Sequence, residues 1–275
     1  MDGSRLSSWL ALREPADFAA RSAMLTRALI DTLPRDRALR IVDLGTGSGS
    51  NVRYLTRFVG HGFGRAETDW LLVDADPVLL AEAQARLPGV ETRQMNLATL
   101  DAALLAGRDL VTGSALLDLV SERWLESLAA HCSDAGAAAL FALNYNGESR
   151  CTPAEPEDEA IRALMNAHQR QNDKGFGRAT GPDAPAIAAR CFERRGYSVR
   201  RQRSDWHLVP DDRELQRRLI EGWAEAALEL APGESSMIRD WLARRIAHVE
   251  ASRSLITVGH DDLAAYRADP RARPI

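Results

Sequence analysis

One short segment constrains the fold of this chain more than any other. Residues 41–51 begin with an apolar, β-branched run that ends in Asp43. Glycines then occupy every second position: Gly45, Gly47 and Gly49. Such a run indicates a buried strand, and glycines let the backbone turn sharply and approach a ligand closely. From Ser50 onward apolar residues recur at helical spacing, so we predict a strand, a ligand-binding loop and a helix whose N-terminus attracts negative charge.

The glycine spacing excludes two common nucleotide-binding loops. A dinucleotide fingerprint, G-x-G-x-x-G, has its third glycine where this chain has Ser50. No Gly-Lys-Ser/Thr follows, which excludes the phosphate-binding loop (P-loop) of nucleoside triphosphatases. The G-x-G-x-G pattern after an acidic strand end resembles motif I of the class I S-adenosylmethionine (SAM)-dependent methyltransferases, whose loop holds the methionine part of the cofactor. A tight turn that binds no ligand is the alternative.

An acid also ends the second predicted strand, which runs from Trp70 to Asp74. Pro77 suits the first position of the helix that follows, and Asp76 is better placed than Asp74 to cap that helix. A carboxylate at the end of this strand can accept charge-assisted hydrogen bonds from both hydroxyls of a ribose. The resemblance therefore implies that Asp74 binds the ribose of the cofactor.

The third predicted strand, residues 90–95, is followed by Asn96 and Leu97. In the family this position reads the adenine. Asn96 departs from the commoner Asp, but its amide can still accept a hydrogen bond from an amino group. The resemblance implies cofactor contacts at the following positions: Asp43, Gly45, Thr46, Gly47, Gly49, Asn51, Asp74, Ala75, Asn96, Leu97 and Ser114.

The fourth predicted strand, residues 109–118, resembles motif IV, and in the family this strand ends facing the transferred methyl group. Asp118 is the last residue of this segment and a candidate catalytic residue, with an acid at a helix start as the alternative. The fifth predicted strand, residues 137–143, ends in polar residues, of which Asn144 and Tyr145 are candidates to contact substrate and Tyr145 also to act in catalysis. The Asn-Gly pair at 146–147 favours a turn there.

Three further segments lie outside the predicted sheet core. In the first, residues 6–33, a helix is expected to break at Pro15 and to restart. Arg13 and Arg21 are candidates to bind a carboxylate, that of the cofactor or that of the substrate, because a guanidinium binds carboxylates with two hydrogen bonds. Surface arginines on an amphipathic helix are the alternative.

The second segment, residues 151–185, combines a helix with a polar, glycine-containing loop. An apolar stripe that includes His168 predicts the helix, and His168 is a candidate catalytic base. The loop that follows suggests a mobile lid, with Lys174, Phe176 and Arg178 as candidates to contact substrate. A flexible surface loop explains the same residues.

The third segment, residues 211–253, carries two apolar helical stripes separated by Pro232-Gly233, which predicts a helical hairpin or a dimer surface. It lies between a sixth strand at 197–202 and a seventh, antiparallel strand at 254–260. His207 follows the sixth strand and is a further catalytic candidate, although each histidine of the chain is more often structural or exposed than catalytic.

The charge, apolar runs and cysteine content of the chain limit which kinds of binding partner and location are expected. The net charge is −4 and basic residues are interspersed with acids, which argues against a nucleic-acid partner. The longest apolar runs are too short to span a bilayer, and the N-terminus does not read as a signal peptide. Three cysteines without metal-ligand spacing predict no metal site and a reduced, cytoplasmic protein.

Together these features predict one α/β methyltransferase domain over residues 1–275. Its Rossmann-like sheet has seven strands, mostly parallel with an antiparallel last strand, and helical additions form a lid. The parts are a helical cap at 1–35, a cofactor-binding half at 36–150 and a substrate half at 151–275 with helical insertions at 151–185 and 211–253.

The predicted function is transfer of a methyl group from SAM to a small molecule. The arginines suggest an anionic acceptor, and a homodimer is an open alternative to a monomer. An enzyme of the same fold with other chemistry and a noncatalytic partner subunit are the competing hypotheses. A nicotinamide-dependent dehydrogenase is disfavoured by Ser50.

Overall fold

The computed structural model describes residues 3–59, 68–171, 173 and 175–267. Its helices are α1 (Gly3–Ala20), α2 (Ala23–Ile30), α3 (Ser50–Val59), α4 (Pro77–Arg86), α5 (Ala102–Leu105), α6 (Glu122–Ala135), α7 (Asp158–Gln171), α8 (Ala184–Glu193), α9 (Arg213–Leu230) and α10 (Ser235–Glu250). Its strands are β1 (Leu39–Leu44), β2 (Thr68–Asp74), β3 (Glu91–Gln94), β4 (Leu110–Ser114), β5 (Ala138–Thr152), β6 (Ser198–Arg203), β7 (Trp206–Leu208) and β8 (Leu255–Tyr266).

The strands form one sheet in the order β3-β2-β1-β4-β5-β8-β6. Strands β1 to β5 pair in parallel, whereas β8 runs antiparallel to both β5 and β6. This confirms the predicted Rossmann-like sheet with an antiparallel last strand. The prediction of seven strands missed β7, a three-residue strand that pairs with β8 outside the main order.

Both faces of the central strands are buried. Ile41 and Leu72 pack into an apolar cluster with α2, α3 and α4, whereas their neighbours Val42 and Leu71 pack into a second cluster with α6 and α8. A strand covered on both faces needs apolar residues at successive positions. This explains why β1 and β2 read as continuous apolar runs in the sequence.

The order of the strands creates a crevice at the centre of the sheet. From β1 the chain moves outward to β2 and β3, then returns to the other side of β1 for β4 and β5. The connections after β1 and β4 therefore diverge at the carboxyl ends of these two neighbouring strands. In open α/β sheets, ligands bind at such a switch point.

The expected break in the N-terminal helix is wrong, because α1 continues through Pro15. A proline inside a helix removes one backbone hydrogen bond and its ring crowds the preceding turn. In this structure Trp9, Leu12 and Ala16 of α1 pack against the buried cluster formed by α7, α9 and α10. Tertiary packing thus holds the helix together where local preference would interrupt it.

The fifth strand does not end near Asn144 as expected. Strand β5 continues to Thr152, because β8 pairs with it on both sides of irregularities that follow Phe141 and Tyr145. The chain bends at Leu143, which has a φ of +54°, and at Gly147, which has a φ of +89°. The Asn-Gly signal therefore marks a bulge within a long strand instead of a turn.

The predicted helical hairpin is present as α9 and α10. Its stripe residues Trp223, Ile238 and Trp241 are buried against α7 and the extension of β5. Packing within this chain therefore explains why the two stripes are apolar. Among the described helices, none combines the length and apolar character that crossing a membrane requires.

Candidate active site

The glycine loop after β1 lies at the switch point of the sheet and is closely packed. Its backbone angles φ are positive at Gly45 (+65°), Gly47 (+53°) and Gly49 (+83°). The Gly47 N–H donates to Asp74 Oδ2 over 2.8 Å, which ties the loop to the end of β2. A Cβ at Gly49 would lie 2.7 Å from Leu87 Cδ1. Other residues at these positions would strain the backbone or separate the packed elements.

A buried polar network adjoins this loop. Asn51 Nδ2 donates to Asp43 Oδ1 over 2.6 Å and to Thr112 Oγ1 over 3.1 Å. Arg21 Nη1, at the end of α1, donates to Asn51 Oδ1 over 2.6 Å. Burial raises the pKa of Asp43 to about 6, although hydrogen bonds from Thr46 and Asn51 and the charge of Arg21 act in the opposite direction. The fold thus brings together three of the predicted cofactor residues.

The guanidinium of Arg21 is buried but incompletely bonded. The residue is 6% exposed, and its Cζ lies 3.9 Å from the centre of the Tyr54 ring. Among the described residues, no partner accepts a hydrogen bond from its Nε or Nη2. Burial lowers the pKa of Arg21, against the opposing charges of nearby acids such as Asp262. Two nitrogens of a buried guanidinium are therefore free to bind an anionic group such as a carboxylate.

Asp74 stands at the end of β2, half-buried beside the same loop. Its Oδ1 accepts from the Asp76 N–H over 3.0 Å and its Oδ2 accepts from Gly47. Each carboxylate oxygen can accept two hydrogen bonds, so with respect to the described residues one acceptor position remains on each. Asp76 caps α4 by accepting from Val78 and Leu79, as expected from the sequence.

The other predicted cofactor residues lie at the ends of neighbouring strands. Asn96 Oδ1 accepts from the Ala98 N–H over 2.9 Å and so caps a short 3₁₀ turn, which leaves its NH₂ group available as a donor. Leu97 is buried, Ala75 is exposed beside Asp74, and Ser114 at the end of β4 is half-buried.

Arg13 is paired within the protein. Its Nε lies 3.0 Å from Asp17 Oδ2, and its guanidinium lies 4.8 Å from the centre of the Trp206 ring. Trp206 Nε1 donates to Asp17 Oδ1 over 3.0 Å. The sequence analysis did not single out Asp17 or Trp206. The spacing of four between Arg13 and Asp17 on one helix was the available signal for the pair.

His260, on β8, is a buried neutral base beside Trp206. Its ring centroid lies 5.1 Å from that of Trp206 and 6.2 Å from that of Tyr145. Burial lowers the pKa of His260 to about 3, and the charges of Arg13 and Arg203 act in the same direction. The imidazole is therefore uncharged at neutral pH.

Asn144 and Tyr145 are engaged by the fold. Asn144 is fully buried, and its Nδ2 donates to the backbone oxygens of Phe141 and Asp261, both over 3.0 Å. Tyr145 donates its hydroxyl proton to Asn166 Oδ1 over 2.8 Å. Burial raises the pKa of Tyr145, so the phenol stays protonated at neutral pH.

A cavity of about 250 Å³ lies between α7, α9 and the turn that follows β4. Its lining includes Asp118, Met165, His168, Gln169, Trp223 and Ala226. The fold thus brings two candidate residues from distant segments, Asp118 and His168, to one cavity. His168 Nε2 lies 2.7 Å from Glu229 Oε2. The cap of α6 is Ser121, which accepts from the Trp124 N–H, so Asp118 does not cap that helix.

The remaining candidates lie elsewhere. His207 is exposed on β7 and borders a separate groove of about 880 Å³, in which Arg203 is already paired with Glu148. The ring of Phe176 packs edge-on against Trp124 at 5.9 Å. Arg178 is exposed and donates to a backbone oxygen of α7. The candidate Lys174 lies outside the described residues.

The strand order and the glycine loop at its switch point are those of the Rossmann-like fold of class I methyltransferases. No known protein-family profile matches the chain, and no curated protein matches it.

Solved structures show similar folds at low identity. The cyclopropane synthase MmaA2 of Mycobacterium tuberculosis is 11% identical, with a TM-score of 0.44 over 87% of this chain and 82% of that one. A TehB-like SAM-dependent methyltransferase of Corynebacterium glutamicum is 21% identical, with a TM-score of 0.40 over 72% and 86%.

A third structure is phosphoethanolamine N-methyltransferase 2 of Haemonchus contortus, in complex with phosphomonomethylethanolamine and S-adenosylhomocysteine. It is 15% identical, with a TM-score of 0.48 over 98% of this chain, which spans only 59% of that protein.

Proposed function

We propose that this chain is a SAM-dependent methyltransferase that acts on a small molecule. The observation that carries the proposal is the pair of polar groups beside the glycine loop. Arg21 offers two buried nitrogens that have no hydrogen-bond partner among the described residues, and Asp74, which binds the loop at Gly47, offers two acceptor positions. A ligand with a carboxylate at one end and a sugar diol at the other would satisfy both.

The residues present fit SAM. Arg21 would hold its carboxylate, the backbone of the glycine loop its amino-acid part, Asp74 its ribose, and Asn96 and Leu97 its adenine. When bound, SAM supplies a methyl carbon on a positively charged sulfur, which is a good leaving group.

The part of this chain in the reaction would be to orient an acceptor and to exclude water. Helix α1 lies directly over the loop, since Leu10 Cδ1 is 2.9 Å from the place that a Cβ at Gly47 would take. Orientation of two reactants alone can lower a barrier by roughly 7–11 kcal/mol in favourable cases.

The predicted anionic acceptor has little support in the side-chain contacts. Arg13 is paired with Asp17, and Arg178 is exposed and bonded to α7. We therefore propose a small-molecule acceptor without requiring a negative charge. A cytoplasmic location and a homodimer stay predictions from the sequence.

The ribose assignment is tested with Asp74→Ala and calorimetric titration of S-adenosylhomocysteine (SAH). We expect at least tenfold weaker binding, about 1.4 kcal/mol, because two ribose hydrogen bonds lose their acceptor. Glu91→Gln is the matched control, since it removes an exposed carboxylate at the opposite end of the neighbouring strand β3. Equal affinities of Asp74→Ala and the wild type for SAH would refute the assignment.

Two alternatives on the same fold predict different outcomes. An enzyme with other SAM chemistry would bind SAH but transfer no label from methyl-labelled SAM. A noncatalytic partner subunit would leave SAM unconsumed with every acceptor tried. Incubation with methyl-labelled SAM and analysis of the products therefore separates the three hypotheses.

A further inference from the structure

We propose that the cavity between α7, α9 and the turn after β4 is the acceptor site, and that it takes a small amine. The inference rests on the proposed function, because an acceptor site needs a methyl donor beside it. A small amine differs from the anionic acceptor that the arginines of the sequence suggest.

The position of the cavity links it to the proposed cofactor site. Leu116, two residues after the end of β4, packs beside the glycine loop, with its Cδ1 3.5 Å from the place that a Cβ at Gly45 would take. Asp118, two residues further along the same turn, lines the cavity. Thr180 Oγ1 lies 3.0 Å from the backbone oxygens of both Leu117 and Val120, and the Thr180 N–H donates to Val120 over 2.8 Å, so the segment that leads into α8 is fixed to this turn. One short turn therefore separates the loop from the cavity.

The polar groups of the cavity favour a ligand that donates hydrogen bonds. Asp118 is 9% exposed and contributes a carboxylate to the lining. Gln169 contributes an amide whose buried Oε1 has no hydrogen-bond partner among the described residues. Among the described residues that line the cavity, the only basic side chain is that of His168, whose Nε2 lies 2.7 Å from Glu229 Oε2. An anionic acceptor would place its charge close to the Asp118 carboxylate at low exposure, whereas an amine would supply a donor to Gln169 Oε1 and a positive charge to that carboxylate.

The remaining lining sets the size and polarity of the acceptor. Met165, Trp223 and Ala226 form an apolar wall, and all three are largely buried. The volume of about 250 Å³ is below the usual range of ligand pockets, roughly 300–1,000 Å³. A compact amine with an apolar body would bury its hydrocarbon part against this wall and direct its nitrogen to Asp118.

The chemistry of an amine acceptor balances with the groups present. The bound ammonium gives one proton to the Asp118 carboxylate, which frees the nitrogen lone pair. The nitrogen then forms the new bond to the methyl carbon and displaces the thioether sulfur, which keeps the electron pair of the broken bond. The product is an N-methylammonium ion, and Asp118 returns its proton to water.

The test compares amines with matched neutral and anionic compounds. The probes are isobutylamine, benzylamine and piperidine, with isobutanol, benzyl alcohol, isobutyrate and benzoate as controls. Two readouts are used: label transfer from methyl-labelled SAM, and the rise in melting temperature on adding each probe to the SAH complex. We expect at least one amine to be labelled and to raise the melting temperature, and none of the control compounds to do either.

Variants locate the amine in this cavity. Asp118→Asn should lower label transfer and amine affinity at least tenfold and leave SAH affinity within twofold of the wild type, and Gln169→Met should weaken amine binding in the same direction. Glu225→Gln removes an exposed carboxylate from α9 outside the cavity and should behave as the wild type. If Asp118→Asn does not fold, Gln169→Met carries the comparison.

The outcomes separate the two proposals. Loss of SAH binding by the wild type overturns the proposed function and this inference with it. Normal SAH binding without labelling of any amine overturns the amine inference alone. The amine inference alone is also overturned if the alcohols or carboxylates are labelled in preference to the amines. It is likewise overturned if both cavity variants bind amines as tightly as the wild type.

Discussion

Arg21 is the residue on which the proposed recognition of SAM depends most. Its guanidinium is buried against the Tyr54 ring, and among the described residues it forms a hydrogen bond through one nitrogen, to Asn51. Burial of such a group is costly unless its donors are satisfied. A carboxylate ligand would supply acceptors for the Nε and Nη2 donors.

The role of Arg21 is tested by comparing two ligands. Arg21→Lys keeps the positive charge but loses the planar fork that binds a carboxylate through two hydrogen bonds. We expect it to bind SAH at least tenfold more weakly and to bind 5′-methylthioadenosine, which lacks the amino-acid part, within twofold of the wild type. Arg27→Lys on the exposed side of α2 is the control. Equal weakening for both ligands would contradict a contact with the carboxylate.

His260 should make the stability of the protein depend on pH. Its pKa is about 3 in the folded state and about 6.5 in the unfolded chain, so below pH 6.5 the unfolded state binds more protons. Titration of His260 therefore leaves the unfolding free energy unchanged above pH 6.5 and lowers it as the pH decreases from 6.5 toward 3. Between pH 7.5 and pH 5, His260 should lower the unfolding free energy by about 2 kcal/mol.

The contribution of His260 is isolated with His260→Phe, which keeps a ring beside Trp206 and Tyr145. Urea unfolding of both proteins at pH 7.5 and pH 5 gives the difference in unfolding free energy at each pH. Asp43 and the other acids titrate in both proteins and cancel. A difference that does not change between the two pH values would contradict a buried neutral imidazole.

At the level of elements, α10 is anchored to α7 through one buried arginine. Arg245 is fully buried, contacts both oxygens of Asp158, and donates through Nη1 to the Pro153 oxygen over 2.6 Å. Trp241 Nε1 donates to the same Asp158 carboxylate over 2.8 Å. The neighbour Arg244, which is more exposed, pairs with the partly buried Glu155 and Glu157.

Adjacent substitutions on α10 should therefore differ in their effect on stability. Arg245→Met leaves a poorly exposed carboxylate short of a partner and should lower the unfolding free energy by about 3–5 kcal/mol. Arg244→Met removes ion pairs of an arginine whose side chain is 40% exposed, and Glu155 keeps His248 as a partner, so this variant should lower it far less. Chemical denaturation of the two variants checks the order, and similar losses would show that burial of the Arg245 pair is not what stabilises the hairpin.

At the level of the whole molecule, the strand order places one ligand crevice at the centre of the sheet. Elements far apart in the chain border it, from α1 to the end of β4. A ligand that bridges them binds the folded state only, so it stabilises the whole fold by mass action.

SAH at one hundred times its dissociation constant should add about 2.7 kcal/mol to the unfolding free energy. For a chain of this size the melting temperature should rise by about 5–10 °C, measured by differential scanning fluorimetry. NAD⁺ at the same concentration is the control and should give no rise. Stabilisation by NAD⁺ in place of SAH would remove the basis of the proposed function.

The positions that define the loop could be predicted because their signals are local. The apolar run, the alternate glycines and the acids Asp43 and Asp74 occupy neighbouring positions, and the structure places them at adjacent strand ends. The helices α3, α4, α9 and α10 follow from apolar spacing within each segment and from Asp76 or Pro232 near their ends. Short-range patterns of this kind depend on residues within one or two turns of each other.

The features that the sequence did not determine depend on contacts between distant residues. Pro15 stays helical because α1 packs on another cluster, and β5 extends to Thr152 because β8 pairs with it. The charge of Arg13 is paired because Asp17 and Trp206 meet it.

The sequence by itself thus determined the loop, the order of elements and the identity of the acids at the strand ends. Only the tertiary structure decided which side chains are already paired and which line a cavity, as Asp118 and Gln169 do with residues of α9. The physical reason is that pairing and burial depend on distances in space, and spacing along the chain specifies such distances only within a single element.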